Sequence, residues 1–373
     1  MPSAEDDPPE GHDNPQGLDA LAHVRKRPGM YFGSQTMAGA MYALWEVISN
    51  SLDQVVAGKA SSISVTVHDD GSISVADDGE GIRTDTDDSG LSFLERAFTR
   101  LHTGPTLDGH RPRLHVSLGV GLGPVCAVSQ RVEVDVRNGQ GHFSQTFAWG
   151  KALGPLASER PTEGTGTCIR LHLDPAIFED LLWDATAIQK RLVEVGSLWP
   201  GLRCSFEQQT TDLQPRSNLA TLLATQVGLD PQRHPAHAPL LLERTDGALS
   251  VRVALQWCRA RWPGAEKLPE VVVSSWCNFR RTEDGGSHVD GFLSGLLDVF
   301  DTTSRHLVDV GAGLVVVIDT KEIDPTFRGP THAELDSPAL RALVRSTVVQ
   351  QLPLRLAEQP DLTREISERL VHE

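Results

Sequence analysis

A chain of 373 residues with 39% apolar and 23% charged positions can furnish two or three cored domains, which excludes wholesale disorder. Its formal net charge of −16 argues against a surface that follows a phosphate backbone along its length, while leaving room for a local basic patch. No apolar run approaches the roughly eighteen residues of a spanning helix, and five cysteines without a CxxC pair imply reduced thiols in a cytoplasmic protein.

Residues 1–16 are acidic, Pro-rich and aperiodic, which reads as a flexible arm and not as a secretory signal. Ordered structure is expected from about Gly17. From Met37 to Val56 apolar residues recur at three and four spacing, which predicts a long helix. SSISVTVHDD and SISVADD follow as two strands, joined at Asp70-Gly71, a dipeptide suited to a tight hairpin turn. A second helix is expected over Leu91–Leu101, then a poorly periodic stretch leading into GVGLGP. Strands are expected at RVEVDVR, HFSQTFAW and TCIRLHL, and a helix over Ala185–Leu198. The polar segment 207–248, with one short helix around Ser217–Val227, reads as a junction. Beyond it come SVRVALQWC, EVVVSSWCN, a helix over His288–Phe300, the strand GAGLVVVIDTKEI and a closing helix after Pro338. This order predicts an α+β sandwich followed by a smaller α/β domain.

Three groups of residues carry candidate chemistry. Glu46, Asn50 and Asp53 fall at i, i+4 and i+7 and share one helical face. A carboxylate and an amide one turn apart can hold a water and a hard cation such as Mg2+, although the same spacing describes the solvated side of an amphipathic helix. Asp77-Asp78-Gly79-Glu80-Gly81-Ile82 directly follows a strand. Its glycines allow close backbone approach, and a buried Asp can accept a hydrogen bond from an adenine amino group, though an ordinary turn reads the same way. Gly119-Val120-Gly121-Leu122-Gly123 opens an expected helix, whose backbone N–H groups attract phosphate. It lacks the Lys-Ser/Thr ending of a P-loop and follows a loop, so neither that motif nor the dinucleotide fingerprint fits.

Taken in order, these features resemble the N-terminal region of DNA gyrase B and its topoisomerase IV counterpart, members of the GHKL ATPases. LAHVRKRPGMYFG, from Leu21 to Gly33, is similar to that family's signature opening segment. The resemblance implies that Glu46 activates water, that Asn50 binds Mg2+, and that Asp77 of DDGEGI takes the adenine amino group. GTGTCIRL resembles the fourth nucleotide motif and makes Thr167 the support of the water network between Asp77 and adenine. By position, Gly79, Gly81, Ile82, Gly119, Val120 and Gly121 would complete the ATP contacts. VALQW, RTEDGGSHVDGF and IDPTF resemble the transducer domain. The implied fold is a Bergerat-type GHKL ATPase sandwich over residues 17–206, a junction over 207–248 and an α/β transducer of the ribosomal-protein type over 249–373. No Toprim-like metal motif follows, so that DNA-handling domain is expected to be absent.

The departures gather at the polyphosphate end. The family's Gln-Thr-Lys triplet, whose lysine reaches the γ-phosphate, stands here as Pro330-Thr331-His332, with His332 the candidate in the catalytic lysine's place. The lid LHTGPTL has Thr106 where a lysine is expected, and only six lysines exist in the chain. The leading glycines and the His of the phosphate loop are missing around Val116–Gly121, while Arg83 and Asn138 replace a proline and an arginine at the pocket rim. His332, Arg111 or Arg113 could compensate in part.

Three readings follow. The first is an ATP-dependent clamp: a homodimer closed by Mg-ATP, with weak hydrolysis, a possible gyrase A-type subunit as partner, DNA reached only indirectly and no membrane. The second is a non-catalytic nucleotide or gyrase-inhibitor binder acting as regulator, decoy or self-resistance factor. The third is a pocket turned to new small-molecule chemistry, which would need a new acid/base pair near Glu46, for instance with His332 or His115.

Overall fold

The computed structural model describes residues 15–101, 120–159, 163–207, 218–228, 233–235, 237–260, 271–301, 310–329 and 333–371. The chain forms two compact units. One comprises the chain up to Leu192 with Gly201–Pro215, the other Val193–Pro200 with everything from Arg216 onward.

In the first unit, α1 (Pro15–Lys26), α2 (Pro28–Phe32) and α3 (Met37–Val56) precede the hairpin β1 (Ser62–Val67) and β2 (Ile73–Asp77). The first helix starts two residues before the expected onset; residues 1–14 lie outside the described set. The apolar stripe of α3 buries Ala43, Leu44, Val47, Ile48, Leu52 and Val55, as its periodicity predicts. The hairpin turn is a three-residue loop over 69–71, closed by the His68 N–H to Ser72 carbonyl bond, with Gly71 at φ +80°. Asp70 supports it by accepting from the Ser72 N–H, so Asp70 and Gly71 act in a longer loop than a two-residue turn.

After them come α4 (Phe93–Thr99), α5 (Leu122–Ala127), β3 (Ser129–Asn138), β4 (Gly141–Ala148), β5 (Lys151–Ala152), β6 (Ala157–Glu159), β7 (Gly166–Leu173), α6 (Ala185–Leu198), which belongs to the second unit from Val193 on, and β8 (Arg203–Glu207). Helix α4 is shorter than expected because Ser92 caps it, accepting from the Glu95 N–H. The strands build one eight-stranded sheet in the order β5-β4-β3-β7-β2-β1-β8, with β6 beside β4. Among the described strands of this sheet, only β1 and β8 pair in parallel. Alternation along β1, β2, β3 and β7 buries Ile63, Val65, Ile73, Val75, Val132, Val134, Ile169 and Leu171. Arg25, inside the signature opening segment, donates to the Ala127 carbonyl and to Asp174, which also receives the Trp149 indole N–H.

The second unit contains α7 (Leu219–Gly228), β9 (Arg233–Pro235), β10 (Leu240–Asp246), β11 (Leu249–Ala260), β12 (Val272–Cys277), β13 (Arg280–Arg281), α8 (Ser287–Val299), β14 (Leu314–Lys321), β15 (Phe327–Arg328), β16 (Glu334–Leu335), α9 (Pro338–Ala357) and α10 (Pro360–Val371). Segment 207–248 thus contributes a helix and two strands to this unit. Sheet order is β10-β11-β14-β12-β13 with β9 on β11, and β12 runs parallel to β14 across the α8 connection. Every residue of β14 is buried, as expected of a strand covered on both faces. The core of this unit gathers Trp257, Phe292, Leu296, Val316, Ile318, Leu340 and Val344.

Residues 193–200 are tied into this unit by side chains. Glu194 accepts the Trp276 indole N–H at 2.6 Å, and Arg252 donates both to the Leu198 carbonyl and to Asp319. Trp199 stacks on Phe279 with centroids 5.8 Å apart, and the Lys321 ammonium lies over both rings while bonding Asp319 at 2.6 Å. Burial lowers the Lys321 pKa, and Asp319 opposes that shift.

His288 on α8 is fully buried, its Nε2 3.2 Å from the Thr282 hydroxyl and its Nδ1 without a partner among the described residues. Burial pushes its pKa down from 6.5 to about 4. The unfolded chain therefore takes up this proton first on acidification. Stability is fully present above pH 6.5 and falls as the pH drops from there toward 4, by up to about 3 kcal/mol. Urea midpoints measured between pH 7 and 5 should fall in the wild type, with a slope shallower by nearly one proton in His288→Gln. An identical slope in both would dismiss His288 as the source. Among the described residues no helix is long and apolar enough to cross a membrane.

Candidate functional site

Strand β2 lies between β1 and β7 and ends at Asp77, with Thr167 directly opposite in the β7 register. Asp77 is 8% exposed, and both its carboxylate oxygens already accept protein hydrogen bonds. The Ser51 hydroxyl donates to Oδ2 at 2.7 Å and the Gly79 N–H to Oδ1 at 2.9 Å. Burial raises the Asp77 pKa, opposed by the bonds from Ser51, Gly79 and Thr167. Thr167 Oγ1 accepts the Ile82 N–H at 3.2 Å, which ties the end of the DDGEGI turn to β7.

The glycines of the turn are required sterically. A Cβ on Gly79 would stand 2.8 Å from Asp77 Oδ1 and 3.0 Å from the Gln54 side chain. Gly81 has φ +79°, and a Cβ there would fall 2.5 Å from the Arg137 carbonyl. Asp78 plays a different part from Asp77. Although burial pushes the other way, bonds from Ser61 and Ser62 hold its carboxyl below the usual range, and it anchors the start of β1.

Helix α3 passes beside this turn and carries Glu46 about 7–8 Å along its axis from Ser51. Glu46 is 3% exposed, and its Oε2 accepts the N–H of Gly121 at 2.8 Å. Gly121 precedes α5 at φ +77°, and Val120 lies immediately before it. Asn50 sits half-buried one turn beyond Glu46. Among the described residues no group of three or more His, Cys, Asp or Glu gathers to hold a metal ion by itself. A Mg2+ ion at Asn50 would thus need most of its oxygen ligands from a phosphate chain and water, the usual manner for this cation.

At the rim, Asn138 donates its amide to the Ile82 carbonyl and to Thr84 Oγ1, each at 3.3 Å, and Thr84 donates to Gln140. Arg83 lies over the Phe93 ring at 5.1 Å and pairs with Asp85. Glu80 is held by Lys59, and its N–H by Gln54. Both substituted rim positions, Arg83 and Asn138, therefore have partners within the chain.

The structure brings Asp77, Gly79, Gly81, Ile82 and Thr167 together at one end of α3, and Glu46, Asn50 and Gly121 further along it, with Val120 adjoining. Gly119 and His332 lie outside the described residues, as do Thr106, Arg111, Arg113 and His115. Ser51 is a site residue that the sequence motifs do not single out. Its signal is a polar residue between Val47 and Val55 on the buried stripe of α3.

Residues 38–177 match the family described as histidine kinase-, DNA gyrase B-, and HSP90-like ATPase, and residues 225–373 match the DNA gyrase B family. The first unit is thus of the gyrase B-, HSP90- and histidine kinase-type ATPase class. Over 359 residues the chain is 32% identical to the DNA gyrase B protein of Archaeoglobus fulgidus, covering 92% of this chain and 55% of that protein. It is 30% identical over 382 residues to the DNA gyrase B protein of Mycobacterium tuberculosis, covering 90% and 55%. The 43K ATPase domain of Thermus thermophilus gyrase B, solved with an aminocoumarin, superposes with a TM-score of 0.77 at 25% identity, covering 94% of both chains. The ATP-binding domain of Francisella tularensis topoisomerase IV, solved with a small-molecule inhibitor, gives 0.76 at 26% identity, covering 95% of both. The chain belongs to the gyrase B family, with the N-terminal region that DNA gyrase and topoisomerase IV share, and it spans about half the length of the curated relatives it matches.

Proposed function

We propose that the first unit binds ATP with Mg2+, that two copies of the chain close on one another when it does, and that slow hydrolysis reopens them. In this reading the first unit is the ATPase domain and the second the transducer. What supports it most is the Asp77 carboxylate, buried and fixed by two donors at the mouth of a glycine turn, with Glu46 and Asn50 on the helix beside it. Asp77 would take the adenine amino group, with Thr167 beside it. Asn50 would hold Mg2+, which when bound neutralises charge on the phosphate chain. Glu46 would accept the proton of the attacking water. Gly121 and the residues before it would meet the phosphates. A slow rate follows from His332 and Thr106 standing where the family has lysines, since losing one preorganised donor costs ~10²–10³ in rate. A gyrase A-type protein is the proposed partner, and DNA would be reached through it.

A titration calorimetry experiment with Mg-ATP, followed by phosphate-release kinetics, tests this. Binding with steady turnover supports the clamp. Absence of binding overturns it.

A second reading is favoured by the rim. Asn138 is a neutral amide, so it offers a ligand no cation, unlike an arginine at that position, and its NH2 is already engaged with Ile82 and Thr84. A chain that binds ATP without turnover would then act as a regulator or decoy of a gyrase, or as a sink for gyrase-directed inhibitors. Titration with an aminocoumarin separates the last of these from the rest.

A further inference from the structure

We propose that Ser51 is a positioning residue that sets purine selectivity by fixing the Asp77 carboxylate as an acceptor toward the base; this rests on the nucleotide reading of the same site. A serine inside a helix ordinarily returns its hydroxyl proton to the carbonyl one turn back. Ser49 does so, donating to the Trp45 carbonyl at 2.8 Å, and Ser197 likewise to Val193. Ser51, two residues from Ser49 and 2% exposed, instead spends its one proton on Asp77 Oδ2 at 2.7 Å. The Gly79 N–H holds the other oxygen, so the carboxylate cannot rotate and shows only lone pairs to whatever enters.

Beside it stands Thr167, whose Oγ1 already accepts from Ile82 and so keeps its own proton to give, directly or through a water. The pair reads acceptor, then donor. The edge of adenine is the complement: an amino group that donates and a ring nitrogen that accepts. Hypoxanthine presents the reverse, a carbonyl and a ring N–H, and would set lone pairs against lone pairs. A site built around a hydrogen bond discriminates strongly against a base that cannot make it. Burial raises the Asp77 pKa and Ser51 opposes it. Without Ser51 the carboxyl would rotate and keep its proton more readily, and a protonated carboxyl accommodates a carbonyl.

The test compares ADP and IDP binding to the full chain by calorimetry. The wild type should prefer ADP by at least about a hundredfold. Ser51→Ala should bind ADP about tenfold more weakly with IDP unchanged or tighter, and Ser51→Thr, which keeps the hydroxyl, should restore the preference. Equal weakening of both nucleotides in Ser51→Ala, or an unchanged ratio, overturns the role of Ser51 while leaving the nucleotide site standing. A wild-type chain that binds neither nucleotide overturns both.

Discussion

Asp77→Asn is expected to lower nucleotide affinity by at least about a hundredfold while leaving the fold in place. The reason lies in the two donors already aimed at this side chain. Ser51 donates to one oxygen and Gly79 to the other, so an amide must turn its NH2 toward one of them. With its oxygen kept on the Gly79 N–H, the amide turns its NH2 toward Ser51, whose hydroxyl can accept it, and the side chain then presents a donor where the ligand's amino group needs an acceptor. An unsatisfied buried polar group costs about 1–3 kcal/mol, and the lost bond to the ligand adds to it. Calorimetry on the variant, with a thermal melt to confirm folding, measures this. Unchanged affinity would remove Asp77 from the site.

Glu46→Gln should reduce any phosphate release by about 10²–10⁴-fold, the usual share of a general base, while nucleotide affinity stays within about threefold. Glutamine is the informative substitution because its amide oxygen can still accept the Gly121 N–H, so the approach to α5 keeps its anchor. Alanine would remove base and anchor together. A stopped-flow phosphate assay beside a binding titration separates the two effects. Turnover that survives in Glu46→Gln would assign the base elsewhere.

The helix carrying Glu46, Asn50 and Ser51 is legible in the sequence because its apolar stripe repeats over twenty residues. The Asp77 turn is legible for another reason: a carboxylate followed by closely spaced glycines directly after a strand is a local pattern. Ser51 is not, since nothing in its neighbours tells a helix-bonded serine from one that reaches 26 residues along the chain. β8 escapes sequence reading because five residues pairing in parallel with β1 carry little periodicity and their partner lies far away. The same holds for the stack of Trp199 on Phe279, which no local rule joins. The family resemblance supplies the pairing of Asp77 with Thr167, and the β2–β7 register places the two opposite each other. The phosphate-side departures at residues 116–118, Thr106 and His332 fall outside the described residues, as does Gly119.

The backbone passes from one unit to the other after Leu192, returns after Pro200 and leaves again after Pro215. The chain therefore crosses between the units three times, where beads on a string would need a single crossing. A single cut between Glu207 and Asn218 would sever the last passage, yet the N-terminal fragment would still carry residues 193–200, which belong to the second unit. There Trp276 holds Glu194, Arg252 holds the Leu198 carbonyl, and Phe279 and Lys321 hold the Trp199 ring. A nicked molecule of this kind behaves as a two-chain complex in which one fragment lends the other a structural splint.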